Sequence, residues 1–164
     1  MNDHYQDQFD REEEAIRPNT FEDFIGQERL KANFQNLILG CKKGNRVLDH
    51  VLLSGPSGTG KTTIGKIIAN ELGTYMFYMS GPSIRKVEDI LMILGHVQKG
   101  DIVFIDEIHE VPQTLRTWLY TVMDDFQFSL YGRPLRTNRF TFIGATTKEG
   151  RLEKPFRNRF KIQD

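Results

Sequence analysis

The sequence predicts an α/β protein built on a doubly wound parallel sheet, and three observations carry that prediction. Short apolar runs alternate with stretches whose apolar positions recur every three or four residues, the order expected of strand–helix–strand units. The run Ile102-Val103-Phe104-Ile105 is apolar throughout, as in a parallel strand covered on both faces. A glycine-rich turn, Gly55 to Gly60, lies between the apolar run Val51-Leu52-Leu53 and an amphipathic stretch. A length of 164 residues fits one domain with a core of its own.

The elements follow in order. Residues 1–15 are polar and acidic without periodicity and are expected to be disordered, leaving 16–164 as the folded domain. A first helix is expected over 27–42 from the stripe Leu30, Phe34, Leu37, Ile38 and Cys41, with Gly44 as its stop. Strand one is expected over 50–54, and the helix opening at Lys61 carries Ile64, Ile67, Ile68 and Leu72 on one face. Strand two is read over 75–79, followed by a helix with Val87, Ile90, Leu91 and Leu94 inward. After the run 102–105, a helix over 112–123 turns Leu115, Trp118, Leu119, Val122 and Met123 to the core. Phe126, Phe128 and Leu130 alternate before the turn Gly132-Arg133-Pro134, a hairpin signal, and a last strand is expected over 141–145.

Composition removes several classes. Hydrophobic content of 38% and charge of 27% are those of an ordinary globular chain. The one cysteine, Cys41, excludes an internal disulfide framework, and its place on the helical stripe predicts a small buried hydrophobe. No apolar run reaches the ~20 residues of a membrane span and the N-terminus is acidic, so a cytoplasmic protein without membrane partners is expected. The net charge of zero conceals an asymmetry: residues 1–26 hold eight acids against two bases, and residues 133–164 hold nine bases against three acids. Such a basic stretch is read either as a solvated surface or as a nucleic-acid footprint. His4, His50, His96 and His109 show no metal-ligand spacing, and His109 is expected to serve structure.

Gly55-Pro56-Ser57-Gly58-Thr59-Gly60-Lys61-Thr62 is a complete G-x-x-x-x-G-K-[ST] phosphate loop, followed by Thr63. Its glycines let successive amides point at phosphate oxygens, Lys61 reaches the β- and γ-phosphates, and the Thr62 hydroxyl ligates Mg²⁺. A dinucleotide fingerprint is excluded, because Lys and Thr follow Gly58-Thr59-Gly60 where a third glycine is required. The apolar run 102–105 ends in Asp106-Glu107, forty-five residues after Lys61. Asp106 is expected to hold Mg²⁺ through water and Glu107 to orient or deprotonate the attacking water, making ATP the ligand and hydrolysis the reaction. An acidic strand end without catalytic meaning is the plainer reading, and a nucleotide kinase lacks such a pair.

The chain resembles the N-terminal ATPase domain of the RuvB family, the AAA+ motors of Holliday-junction branch migration. The likeness rests on Ile16-Arg17-Pro18 with Asp23-Phe24-Ile25-Gly26-Gln27, Leu48 to Leu53, and Gly55 to Thr63. It continues through Ser80-Gly81-Pro82, Phe104-Ile105-Asp106-Glu107-Ile108-His109, Met123-Asp124-Asp125-Phe126, Ile143-Gly144-Ala145-Thr146-Thr147 and Arg157-Asn158-Arg159-Phe160. The resemblance implies that Ile16, Arg17 and Ile25 line the adenine side and that Thr147 is a first sensor beside the γ-phosphate. It also implies that Arg159 is an arginine finger entering the next subunit of a ring, expected to be hexameric, with Asp124, Asp125 and Phe126 near the neighbour's nucleotide.

Three departures from the family pattern bear on function. The stretch between Met123 and Phe140 is several residues shorter than in RuvB, which argues against a RuvA-like partner. Glu110 stands where the family commonly has arginine. The chain also stops at Asp164, where the family continues into a fifth strand, a helical lid and a winged-helix DNA-binding domain. The expectation is therefore an AAA+ large subdomain, truncated, lacking strand five and bare along the free edge of strand one, with branched DNA reached through the absent domains. A non-catalytic nucleotide-binding assembly subunit and a clamp-loader-like ATPase are the alternatives to a DNA motor acting in recombination, repair or replication.

Overall fold

The structure is a computed structural model and describes residues 18–130 and 132–164. The acidic tail expected over 1–15, and Ile16 and Arg17, lie outside the described residues. Strands and helices alternate as the periodicity predicts. Helix α1 (Glu28–Gly44) precedes β1 (Val51–Ser54), and α2 (Lys61–Leu72) returns the chain to β2 (Met76–Ser80). Helix α3 (Val87–Leu94) leads to β3 (Ile102–Asp106), and α4 (Gln113–Asp125) to the hairpin of β4 (Gln127–Leu130) and β5 (Arg133–Arg136). Then come β6 (Thr141–Thr146), the short α5 (Lys154–Arg157) and β7 (Ile162–Gln163).

Five strands form one parallel sheet in the order β2-β3-β6-β1-β7, and the hairpin is a separate antiparallel pair. The expected loss of the fifth strand is therefore corrected. Val51 pairs with Ile162 and Leu52 with Gln163 in parallel register. Ser54 N–H donates to Asp164 O, and Asp164 N–H donates to Leu52 O, so the edge expected to be bare is occupied. A ladder needs only extended backbone. Here Phe160, 1% exposed, anchors the approach, and Ile162 packs against the cluster beneath β1.

The sheet divides the core in two because successive strand side chains face opposite ways. Val51, Leu53, Ile102, Phe104, Ile143 and Ala145 pack beneath α1 and α2, against Phe34, Ile38, Ile64 and Ile68. Leu52, Val103, Ile105 and Phe142 face the other way, against Ile90, Leu94, Leu119 and Val122 of α3 and α4. Helix α2 lies close on β3: a Cβ added at Gly65 would stand 2.6 Å from the Phe104 ring, so only glycine fits there.

Two further expectations are adjusted. Helix α1 runs through Gly44, and the left-handed residue that closes it is Asn45 (φ 46°), whose N–H donates to Cys41 O and Lys42 O. Cys41 is half-buried rather than enclosed, since it sits at the margin of the α1 stripe, lining a cleft beside Arg46; burial still pushes its thiol up. Among the described residues no helix is long and apolar enough to cross a membrane.

Candidate active site

The loop after β1 owes its shape to two glycines and to bracing from the segment before α1. Gly58 (φ 77°) and Gly60 (φ 87°) occupy the left-handed region, which a side chain would strain. A Cβ on Gly60 would also stand 3.0 Å from the ring of Phe24, which is buried behind the loop. Gln27 Nε2 donates to Thr59 O at 3.0 Å, and Thr59 Oγ1 to Pro56 O at 2.9 Å. Helix α2 starts at Lys61, so the amides of its first turn have no intrahelical acceptor and its positive end faces outward. Lys61 Nζ donates to Gly55 O and Pro56 O, both at 2.8 Å, weak neutral acceptors that an anion would outcompete.

A cavity of about 640 Å³ opens where the carboxyl ends of β1, β3 and β6 meet, which is where open α/β sheets place ligands. Loop and helix residues Gly58, Lys61 and Thr62 form one wall; Asp106, Glu107 and Thr147 form the other. Ser57, Gly60 and Thr63 also line it, while Gly55, Pro56 and Thr59 bound a smaller cleft behind the loop.

The acidic pair is held from several directions. Asp106 Oδ1 accepts from Glu107 N–H at 3.0 Å, and Tyr78 donates its hydroxyl to Oδ2 at 3.3 Å. Burial and the adjacent Asp106 carboxylate push the Tyr78 phenol up. Glu107 adopts φ 47°, ψ 50°, a left-handed conformation that costs a non-glycine residue about 1–2 kcal/mol. Its carboxylate accepts from Thr147 N–H at 3.1 Å and from Thr147 Oγ1 at 3.0 Å. His109 Nδ1 lies 3.1 Å from Glu107 Oε2 and 2.9 Å from Thr146 Oγ1, while Nε2 lies 3.1 Å from Glu110 Oε1. Below the pair, Gly81 packs so closely that a Cβ would overlap Glu107 O and stand 2.9 Å from Asp106 O. Thr62 and Asp106 offer hard oxygens on facing walls, a sparse set suited to Mg²⁺, which keeps most of its ligands as water and phosphate. Among the described residues no cluster of three or more His, Cys, Asp or Glu could hold a metal by itself.

The remaining predicted residues lie elsewhere. Ile25 is 96% exposed and does not line the cavity. Asp124, Asp125 and Phe126 form the C-terminal end of α4, outside the cavity, and the Phe126 ring packs near His50 and Phe140. Arg159 is docked on its own chain: Nη2 lies 3.0 Å from Asp124 Oδ2, Nη1 donates to Pro155 O at 2.6 Å, and Cζ is 4.1 Å from the Tyr120 ring centroid. Four of the nine bases of the basic stretch pair with acids, through Arg151–Glu110, Arg157–Glu149, Arg159–Asp124 and Lys161–Asp49 pairs of 2.8–3.0 Å. Sequence reasoning missed Tyr78 and Gly81 as supports of the acidic pair, and Arg116 altogether. An aromatic in a strand and a glycine after it read only as core and turn.

Residues 16–164 match the family described as the Holliday junction DNA helicase RuvB P-loop domain. RuvB subunits of the branch migration complex from Chlorobium chlorochromatii and Campylobacter concisus are 45% and 44% identical, over 93% and 90% of this chain and 46% of each relative. The solved Thermotoga maritima RuvB branch migration motor superposes with a TM-score of 0.83 at 42% identity, covering 90% of this chain and 47% of that one. A single-substitution variant of the same protein gives 0.85 at 42% identity, over 90% and 48%. The chain thus spans about half the length of the relatives it matches.

Proposed function

Since this chain belongs to the RuvB P-loop domain family, we propose that it binds ATP with Mg²⁺ and hydrolyses it as the motor module of a ring-forming ATPase that acts on branched DNA in recombination and repair. One observation carries the reading: Lys61, Thr62, Asp106, Glu107 and Thr147, contributed by three separate strand ends, line a single cavity. The free amides at the start of α2 and the Lys61 ammonium bind the phosphate tail, Lys61 exchanging the Gly55 and Pro56 carbonyls for phosphate oxygens. Thr62 and Asp106 would hold Mg²⁺, which when bound neutralises charge on the β- and γ-oxygens. Glu107 orients the attacking water and accepts its proton, and Thr147 fixes the carboxylate's direction. Ile25, with Ile16 and Arg17, belongs to the adenine side. Arg159 acts on the neighbouring subunit's nucleotide, beside that neighbour's contacts with Asp124, Asp125 and Phe126.

A second reading, a nucleotide-binding subunit without hydrolysis, is favoured by the same Glu107–Thr147 contact, because it occupies both carboxylate oxygens. Substitution separates the two. Glu107→Gln is expected to keep the rise in melting temperature that ATP and Mg²⁺ produce, while hydrolysis falls about 10²–10⁴-fold. Lys61→Ala is expected to abolish the rise. ATP turnover by the unaltered chain no faster than the background rate of Glu107→Gln would establish the second reading and sink the first.

A further inference from the structure

Three residues of α4 stand four apart, Arg116, Tyr120 and Asp124, and so share one face of the helix. All three grip the segment that carries Arg159. Arg116, a residue 6% exposed, makes a bidentate pair with Glu153, Nε to Oε2 at 3.1 Å and Nη2 to Oε1 at 2.5 Å. Tyr120 packs on Phe156 with ring centroids 5.6 Å apart, and Arg159 Cζ lies 4.1 Å from the Tyr120 ring centroid. Asp124 closes the stripe on the Arg159 guanidinium. The remaining nitrogen of Arg116 reaches the turn directly after the acidic pair: Nη1 donates to His109 O and Val111 O. His109 in turn touches the Glu107 carboxylate. The pair is half-buried, with Arg116 enclosed and Glu153 27% exposed; desolvation offsets much of the attraction in such a pair, and a well-documented use is to fix one arrangement against others.

We infer that the Arg116–Tyr120–Asp124 face of α4 is a positioning device, fastening the pose of Arg159 to the turn behind Glu107, so that each subunit's own cavity sets the arginine it offers to its neighbour. The inference rests on the reading of Arg159 as a group that acts in the next subunit. Arg116 is on this account a positioning residue, touching neither nucleotide. Its four hydrogen bonds end on the two segments to be joined, and Glu153 is held below the usual carboxylate range by it. Glu153→Gln weakens the link at the Arg159 side and leaves the bonds to His109 O and Val111 O in place.

Mixed assemblies test it. Donor chains carry Glu107→Gln and supply Arg159; acceptor chains carry Arg159→Ala and supply an intact cavity. The mixture is expected to regain hydrolysis that neither chain shows alone. Adding Glu153→Gln to the donors is expected to cut the regained rate about 10–100-fold, the cost of a misplaced group, and adding it to the acceptors is expected to leave the rate unchanged. Equal loss in both arms, or in neither, overturns the inference. No regained hydrolysis in the first mixture overturns the assignment of Arg159 itself, and this inference with it, before Glu153 is altered. If Glu153→Gln lowers the melting temperature below the assay, Tyr120 decides: Tyr120→Leu in donors loses the regained rate and Tyr120→Phe, which keeps a ring face, preserves it. Equal behaviour of these two variants likewise overturns the inference.

Discussion

At the scale of single residues the site depends on groups that never meet the nucleotide. Glu107 is held at a positive φ, and Gly81, twenty-six residues earlier, makes room for its carbonyl. Gly81→Ala is expected to displace the Glu107 backbone, costing about 1–3 kcal/mol of stability as overpacking does, and to reduce hydrolysis while the ATP-induced rise in melting temperature persists. A combined melting and turnover measurement checks it; a substitution without effect on either would mean that the backbone yields there without consequence. This contact could not be read from sequence, because it joins residues far apart in the chain. The phosphate loop could, because its glycines, lysine and threonine act within eight consecutive positions. Asp106 and Glu107 were legible for a related reason: a strand apolar on both faces has one polar end, and that end marks the ligand side.

At the scale of elements, His50 shows how a buried polar side chain ties strands and helix together. Its Nδ1 accepts from Phe142 N–H at 2.9 Å and its Nε2 lies 3.1 Å from Met123 O, so the neutral ring with its proton on Nε2 satisfies both partners. Burial lowers its pKa below the ordinary value of about 6.5, which the unfolded chain retains. Above that value both states are neutral. As the pH falls through it, the unfolded chain takes up a proton that the native ring refuses, and stability is lost. The melting temperature is expected to fall between about pH 7 and pH 5, and His50→Gln is expected to flatten that slope. Glu149 and Glu153, held below their usual range by Arg157 and Arg116, lose their stabilising pairs only in more acid solution, as the pH falls through their depressed values. Long elements were legible from their stripes, with ends displaced by a residue or two. Strand β7 was not, because Lys161-Ile162-Gln163 has no alternation long enough to signal a strand and its pairing is decided by the waiting edge of β1.

At the scale of the whole molecule, ion pairs and hydrogen bonds of charged side chains tie together segments far apart in the sequence. Glu149 accepts from Ser54 Oγ at 2.9 Å and pairs with Arg157, joining the end of β1 to α5, and Lys161 reaches Asp49 at 2.9 Å. Composition exposed the excess of bases over 133–164 but not which of them find acids; Arg151, Arg157, Arg159 and Lys161 do. Deleting residues 161–164 is expected to leave Ser54 N–H and Leu52 O without partners, at about 1–3 kcal/mol each where water cannot reach them. The check is a lower melting temperature together with light scattering that grows with concentration, as an open sheet edge recruits other chains. The sheet order has a temporal consequence. Both neighbours of β1, namely β6 and β7, come from the last quarter of the chain, so the ribosome delivers β1 long before anything exists for it to lie beside. A nascent polypeptide ending before Thr141 has α1, α2 and the phosphate loop written out but neither neighbour of β1, and its apolar Val51-Leu52-Leu53 stays a client for chaperones until both have emerged.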